Sequence, residues 1–333
     1  MQNFDSIMAD LKSGKYSPIY FLMGDEPFFI DRITNFIADK IQKPEQKAFD
    51  QIILYGKDVT VAQIDDTARR FPMLSDKLIV IVKEAQNIKN IEKLVYYAQK
   101  PSKSTILVIN YKYKTIDKRK KLYKELSKNA ILFESKKLYD NQIPAWISKY
   151  LKNKNLTIDP IAAQLIVDNL GTDLQKISNE LDKLIISLSK DTKITPDHIE
   201  KNIGISKDYN VFELQNAIIN KDVLKANRII NYFGDNPKSV PFIVLINSLY
   251  YFFSKILIIY SLKDKSQYSI SSALKINPFF AKNYLRAAQN YSLNKLIYII
   301  AVLREYDLKS KGVGNNSMPD SELMKEMLFK ILH

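Results

Sequence analysis

The residues that come nearest to a catalytic arrangement are Gly24, Asp25, Glu26 and Pro27, followed by Phe28, Phe29, Ile30 and Asp31. They follow an apolar run, at the place where a phosphate-binding loop would pass from strand to helix. Such a loop needs a glycine just before the helix so that backbone N–H groups can approach, then a Lys for the β/γ-phosphates and a Ser or Thr for Mg²⁺. Phe29, Ile30 and Asp31 stand there instead. Asp25 and Glu26 would repel a nucleoside triphosphate, yet they suit the positive end of a helix with Pro27 in its first turn. The runs Leu78 to Val82 and Leu107 to Ile109 lead into Lys83 and Asn110, so no acid pair follows them to hold magnesium. The stretch reads as a degenerate P-loop with no cofactor, and a remote P-loop ATPase is the alternative.

Other chemistry is scarce. The chain has no cysteine and only two histidines, His198 and His333, which removes disulfides, thiolate zinc sites and cysteine nucleophiles and leaves too few imidazoles for a metal site. No Ser or Asp arrangement around His198 points to a triad, and it reads as a surface helix residue. Asp65 with Asp66, like Asp25 with Glu26, is an acidic pair of the kind commoner on helix starts and exposed faces than around Mg²⁺.

The densest basic run is Lys112, Lys114, Lys118, Arg119, Lys120, Lys121 and Lys124, with Tyr111 and Tyr113 between. Lys and Arg neutralise phosphates and tyrosine rings stack on bases, so Lys118, Arg119, Lys120 and Lys121 are candidate DNA contacts. A solvated helix face with Ile116, Leu122 and Leu126 on its apolar side explains the same run and is the stronger reading. The net charge of +14 favours polyanionic partners, although a lysine-rich composition with 20 Tyr would produce part of it. A stand-alone basic nucleic-acid-binding protein is therefore a further alternative.

The elements that must position these residues change along the chain. A length of 333 residues suggests two or three domains. The first 140 residues alternate short apolar runs with helical periodicity, the pattern of an α/β unit with a mostly parallel sheet. The strands are expected at 18–23, 49–55, 78–83, 105–110 and 130–134, and the helices at 27–41, 61–71, 88–98 and 117–126. Beyond about 140 the strand signals stop and the rest reads as all helix. A polar stretch, 204–210, separates a small helical block from a larger one, giving divisions 1–140, 141–208 and 209–333. Trp146, between Ile143, Pro144 and Ile147, is expected in the core. The segment Pro241 to Leu262 is apolar enough to consider as a membrane span, but Asn247, Ser248, Ser254 and Lys255 interrupt it. Its Phe242, Leu245, Ile246, Leu249, Phe253 and Ile256 fall at helical spacing, which favours a helix buried in a bundle over a membrane. The amino terminus shows no secretory signal, and a cytoplasmic location is expected.

At this point YFLMGDEPFFI (20–30) resembles the opening strand and loop of bacterial DNA polymerase III clamp-loader delta subunits. RRFPMLSDKLIVIVKEAQ (69–86) is similar to that family's clamp-binding segment and next strand, and NELDKL (179–184), VFELQNA (211–217) and DLKSKG (307–312) agree in order. The resemblance implies an AAA+-like module followed by an all-α lid and an all-α collar that joins other loader subunits, of tau/gamma and delta-prime type. It implies no catalysis by this chain, although the family is classified with the nucleotidyltransferase holoenzyme. It also implies that Phe71, Pro72, Met73 and Leu74 grip the beta sliding clamp, so that the opened ring can be loaded onto primed DNA. Pro72 and Ser75 signal a turn after a helix, which would put Phe71, Met73 and Leu74 at an exposed apolar helix end. The competing reading packs Met73 and Leu74 into the domain core.

Overall fold

The computed structural model describes residues 2–189, 191–315 and 317–333. They form two compact units, Met1–Leu138 and Tyr139–His333.

The first unit runs α1 (Phe4–Lys12), β1 (Ile19–Gly24), α2 (Pro27–Lys40), α3 (Pro44–Asp50), β2 (Gln51–Tyr55), α4 (Val61–Ala68), β3 (Leu78–Lys83), two 3₁₀ turns (Ala85–Asn87 and Ile91–Leu94), α5 (Val95–Gln99), β4 (Thr105–Lys112), α6 (Lys121–Asn129) and β5 (Ile131–Ser135). All five strands are parallel, in the order β2-β3-β4-β1-β5. Central strands of such a sheet are covered on both faces, which is why β1 and β3 are almost unbroken apolar runs. The period of two still sorts them: Tyr20 and Leu22 face the side of α1 and α2 with Ile30, Ile33 and Val108, whereas Ile19, Phe21 and Met23 face the side of α4, α5 and α6 with Ile64, Leu122 and Leu126.

All five strands lie within two residues of their expected ends. The helices depart further. The pattern expected over 61–71 stops at Ala68, where Arg69 caps the helix and binds Asp65 of the preceding turn. Pro72 also disfavours helical geometry at Phe71. The helix expected over 88–98 is a 3₁₀ turn over Ile91–Leu94 that becomes α-helix only at Val95, and the one expected over 117–126 begins only at Lys121.

The second unit runs α7 (Ile143–Lys152), β6 (Thr157–Ile158), α8 (Pro160–Leu170), α9 (Leu174–Ile186), β7 (Lys193–Ile194), α10 (Pro196–Ile203), α11 (Val211–Ile219), α12 (Val223–Asp235), α13 (Phe242–Ser261), α14 (Gln267–Leu274), α15 (Pro278–Asn290), α16 (Leu293–Ser310) and α17 (Asp320–Leu332). The expectation of helix alone is corrected by β6 and β7, which pair over two residues each, too few for a periodic signal. Helix starts follow the sequence: the side chains of Asp159, Asp173, Asn210 and Asp222 accept N–H groups of the first turn. Phe242–Ser261 is long and apolar enough to cross a bilayer, but half of it is buried. Phe242, Leu245, Ile246, Leu249, Phe253 and Ile256 all lie in the helical core with residues of α11, α12, α16 and α17. Trp146 is half-buried rather than a core residue, and stacks on Tyr150 with ring centroids 5.3 Å apart.

Candidate functional site

Gly24, Asp25, Glu26 and Pro27 lie together between β1 and α2, and their backbone is occupied from within. The N–H of Gly24 donates to Lys114 O at 3.0 Å and that of Asp25 to Ser135 O at 2.9 Å. Glu26 is buried, and its Oε1 accepts the N–H of Phe28 in the first turn of α2 at 3.1 Å. The hydroxyl of Ser135 donates to Glu26 O at 2.7 Å. Three donors of the kind with which a phosphate loop holds its anion, the N–H groups of Gly24, Asp25 and Phe28, therefore have internal acceptors, one of them a carboxylate at the helix terminus. Gly24 is a glycine for a different reason: its φ is +116°, and a Cβ there would lie 2.0 Å from Ser135 O. Asp31, where a magnesium-binding hydroxyl would stand, pairs with Lys112 at 2.7 Å. Among the described residues no group of three or more His, Asp or Glu could hold a metal ion.

Phe71, Met73 and Leu74 are 84%, 75% and 56% exposed, which excludes the reading that packs Met73 and Leu74 into the core. They do not cap a helix end, as the sequence suggests; they lie in a loop after α4. That loop is held by Asp50, the last residue of α3 and itself buried. Its carboxylate accepts three successive backbone N–H groups, from Met73, from Leu74 at 2.7 Å and from Ser75 at 2.6 Å. Burial alone would push the Asp50 carboxyl up; the donors from Met73, Leu74 and Ser75 together outweigh it and hold the carboxyl below its ordinary value. Gln42 donates to Ser75 Oγ, Lys77 O and Asp50 O, and Gln46 to Leu74 O. Neither Asp50 nor the two glutamines emerges from sequence reasoning, which puts Asp50 inside a strand; an Asp in a position of poor strand propensity is the one signal it gives.

The basic residues lie later in the same unit. Lys118, Arg119 and Lys120 precede α6 instead of lying on it, and Lys121 is its first residue; all four are exposed. Arg119 is held by Asp117 at 2.8 Å and Lys118 lies 3.6 Å from Glu134. Tyr113 is exposed, while Tyr111 is half-buried against Phe21. His198 is half-buried, and its Nδ1 accepts the Thr195 N–H at the start of α10.

A five-stranded parallel sheet in this order, covered by helices on both faces and followed by a helical unit, defines an AAA+-like protein. Residues 20–136 match the family model described as DNA polymerase III, delta subunit, and residues 208–330 match that of the DNA polymerase III delta subunit, C-terminal domain. DNA polymerase III subunit delta of Bacillus subtilis (strain 168) is 26% identical over 332 residues, 96% of this chain and 94% of the relative. The solved structure of the Bacillus subtilis DNA clamp loader delta protein matches at 25% identity with a TM-score of 0.56, over 99% of each chain. The chain belongs to the DNA polymerase III delta-subunit family, and is thus a clamp-loader subunit of DNA replication. Four of the five segments that carry the sequence resemblance fall within the matched ranges; NELDKL at 179–184 lies between them.

Proposed function

We propose that this delta subunit binds the beta sliding clamp through Phe71, Pro72, Met73 and Leu74, and favours the clamp conformation with one interface open so that the ring can be loaded onto primed DNA. The observation that carries the reading is the exposure of three large apolar side chains within four residues, on a loop whose backbone is tied to the domain. Burying Met73 and Leu74 against a partner supplies on the order of 1.5 to 3 kcal/mol each. A protein that prefers the open clamp shifts the ring equilibrium by its differential affinity, and no bond need be broken. The loop at Gly24, Asp25, Glu26 and Pro27, whose Gly24 and Asp25 N–H groups have internal acceptors, supports a chain without nucleotide of its own, acting in the cytoplasm beside loader subunits of tau/gamma and delta-prime type, with ATP bound by partner subunits. The division into an AAA+-like domain (1–140), a lid (141–208) and an oligomerising collar (209–333) is part of the same reading, supported by the C-terminal family model beginning at 208.

The test is clamp binding by the wild type and a Met73→Ala, Leu74→Ala double variant. A loss of about 100-fold with unchanged folding is expected; equal affinity would remove the assignment of this segment.

A further inference from the structure

We propose that Asp50 is a positioning residue for the Phe71 to Leu74 segment: its buried carboxylate clasps the backbone of the loop and presents the apolar side chains in an ordered conformation. The inference rests on the reading of that segment as the clamp contact.

Phe71, Met73 and Leu74 are mostly exposed, so packing of their own side chains contributes little to the shape of the loop. A loop in that situation would sample many conformations, and ordering it on contact would subtract from affinity. The structure supplies the missing constraint through the main chain. Three consecutive N–H groups, of Met73, Leu74 and Ser75, converge on the two carboxylate oxygens of Asp50. Charge-assisted bonds of this kind are stronger than neutral ones. The carboxylate is itself fixed, because Asp50 joins α3 to β2, whose next residue, Gln51, is paired in register with Ile79 of β3. Gln46, one turn before Asp50 on the same face of α3, holds the loop through its carbonyl by donating to Leu74 O at 3.2 Å. Burying a carboxylate is costly unless its acceptors are used, and here its donors come from the segment that carries the exposed apolar residues. Asn at this position keeps one acceptor oxygen and turns an NH₂ towards the remaining donors; Ala keeps none.

The experiment uses the full chain with Asp50→Asn and Asp50→Ala, each alone and combined with Met73→Ala, Leu74→Ala. Clamp affinity, amide hydrogen exchange of residues 71–75 and thermal unfolding are measured. Asp50→Ala is expected to weaken clamp binding about 10-fold, with Asp50→Asn in between, and to speed exchange of the Met73, Leu74 and Ser75 amides by at least about 10-fold. Added to the double variant, either Asp50 change should lower affinity by less than it does alone, because two of the three ordered apolar side chains are already gone and only Phe71 remains. Unchanged exchange at those amides in folded Asp50→Asn overturns the proposal. So does a loss that adds in full to that of the double variant, which marks a general structural role. If the double variant alone binds the clamp normally, the clamp reading falls first and the positioning role falls with it, whatever the exchange rates show.

Discussion

Glu26 and Phe28 form the first closed turn of α2: Glu26 Oε1 accepts the Phe28 N–H at 3.1 Å, so the helix terminus holds a carboxylate from its own chain. In a nucleotide-binding loop that terminus faces phosphate. Here the charge is covalently supplied, and the preceding N–H groups of Gly24 and Asp25 are turned to Lys114 O and Ser135 O. The loop has kept its place between strand and helix while its donors serve the fold.

Gly24→Ala is therefore expected to damage the domain by backbone collision. Its φ of +116° is strained for an L side chain, and the new Cβ would lie 2.0 Å from Ser135 O in the neighbouring strand region. Gly14, at φ +78° with open space around it, is the control, since Gly14→Ala meets the strain without the collision. Urea unfolding should show a loss of about 1 kcal/mol for Gly14→Ala and at least about 3 kcal/mol for Gly24→Ala. Equal losses would show that β5 yields readily.

For the basic run, the salt dependence of DNA binding by the assembled loader is the informative measurement. Lys118→Glu, Lys120→Glu and Lys121→Glu together should lower affinity and flatten the dependence on salt by up to about 3 charges. Arg119→Glu should matter least, because the Arg119 guanidinium is already bound by Asp117, whose carboxyl it holds below the ordinary range. An unchanged salt slope in the triple variant would leave these lysines as a solvated surface.

Which features the sequence discloses follows from how local their causes are. The strands are legible because a parallel sheet covered on both faces demands unbroken apolar runs, and the short, β-branched run Leu78 to Val82 meets that demand. The early end of α4 is harder: Ile64, Ala68 and Phe71 continue a helical spacing, and the decision falls to Pro72, which disfavours helical geometry at Phe71. Asp50 is illegible for a stronger reason. Its partners are backbone N–H groups 23 to 25 residues away, and every residue type except proline offers one. The resemblance to the delta family pointed to the apolar segment; only the fold shows that it is exposed and what holds it.

Asp168 should carry a pH-dependent cost in the helical unit. Burial, with Asp140 adding to it, pushes the Asp168 carboxyl up to about 6, against the opposing hydrogen bond from Gln164. A folded value above the unfolded one means that the folded state holds the proton more tightly, so stability is greatest at low pH and falls as pH rises through about 6. Asp168→Asn keeps the acceptor oxygen for Gln164 and removes the charge. At pH 7 the variant should unfold at higher urea, by on the order of 2 kcal/mol, with the difference vanishing near pH 4.

Lys255 gives the reciprocal case. It sits on α13 with its ammonium 4.1 Å from the Tyr251 ring centroid, and its side chain is buried among apolar neighbours of the helix. Burial pushes its pKa down to about 8, with Asp140 acting in the opposite direction, and the ring face offsets part of the cost of the charge. Because the folded value lies below the ordinary 10.5, the folded state binds the proton less tightly than the unfolded chain. The cost is full below about 8 and is relieved as pH rises towards 10.5. Lys255→Met preserves the length of the stem and removes the ammonium. It should raise stability at pH 7 by about 1 to 2 kcal/mol, less than the shift alone implies because the stacking on Tyr251 is lost as well. At pH 10 most of that gain should be gone. Urea unfolding of both proteins at the two pH values checks the sign directly: a Met variant less stable at pH 7 would mean that the cation over Tyr251 contributes more than its burial costs.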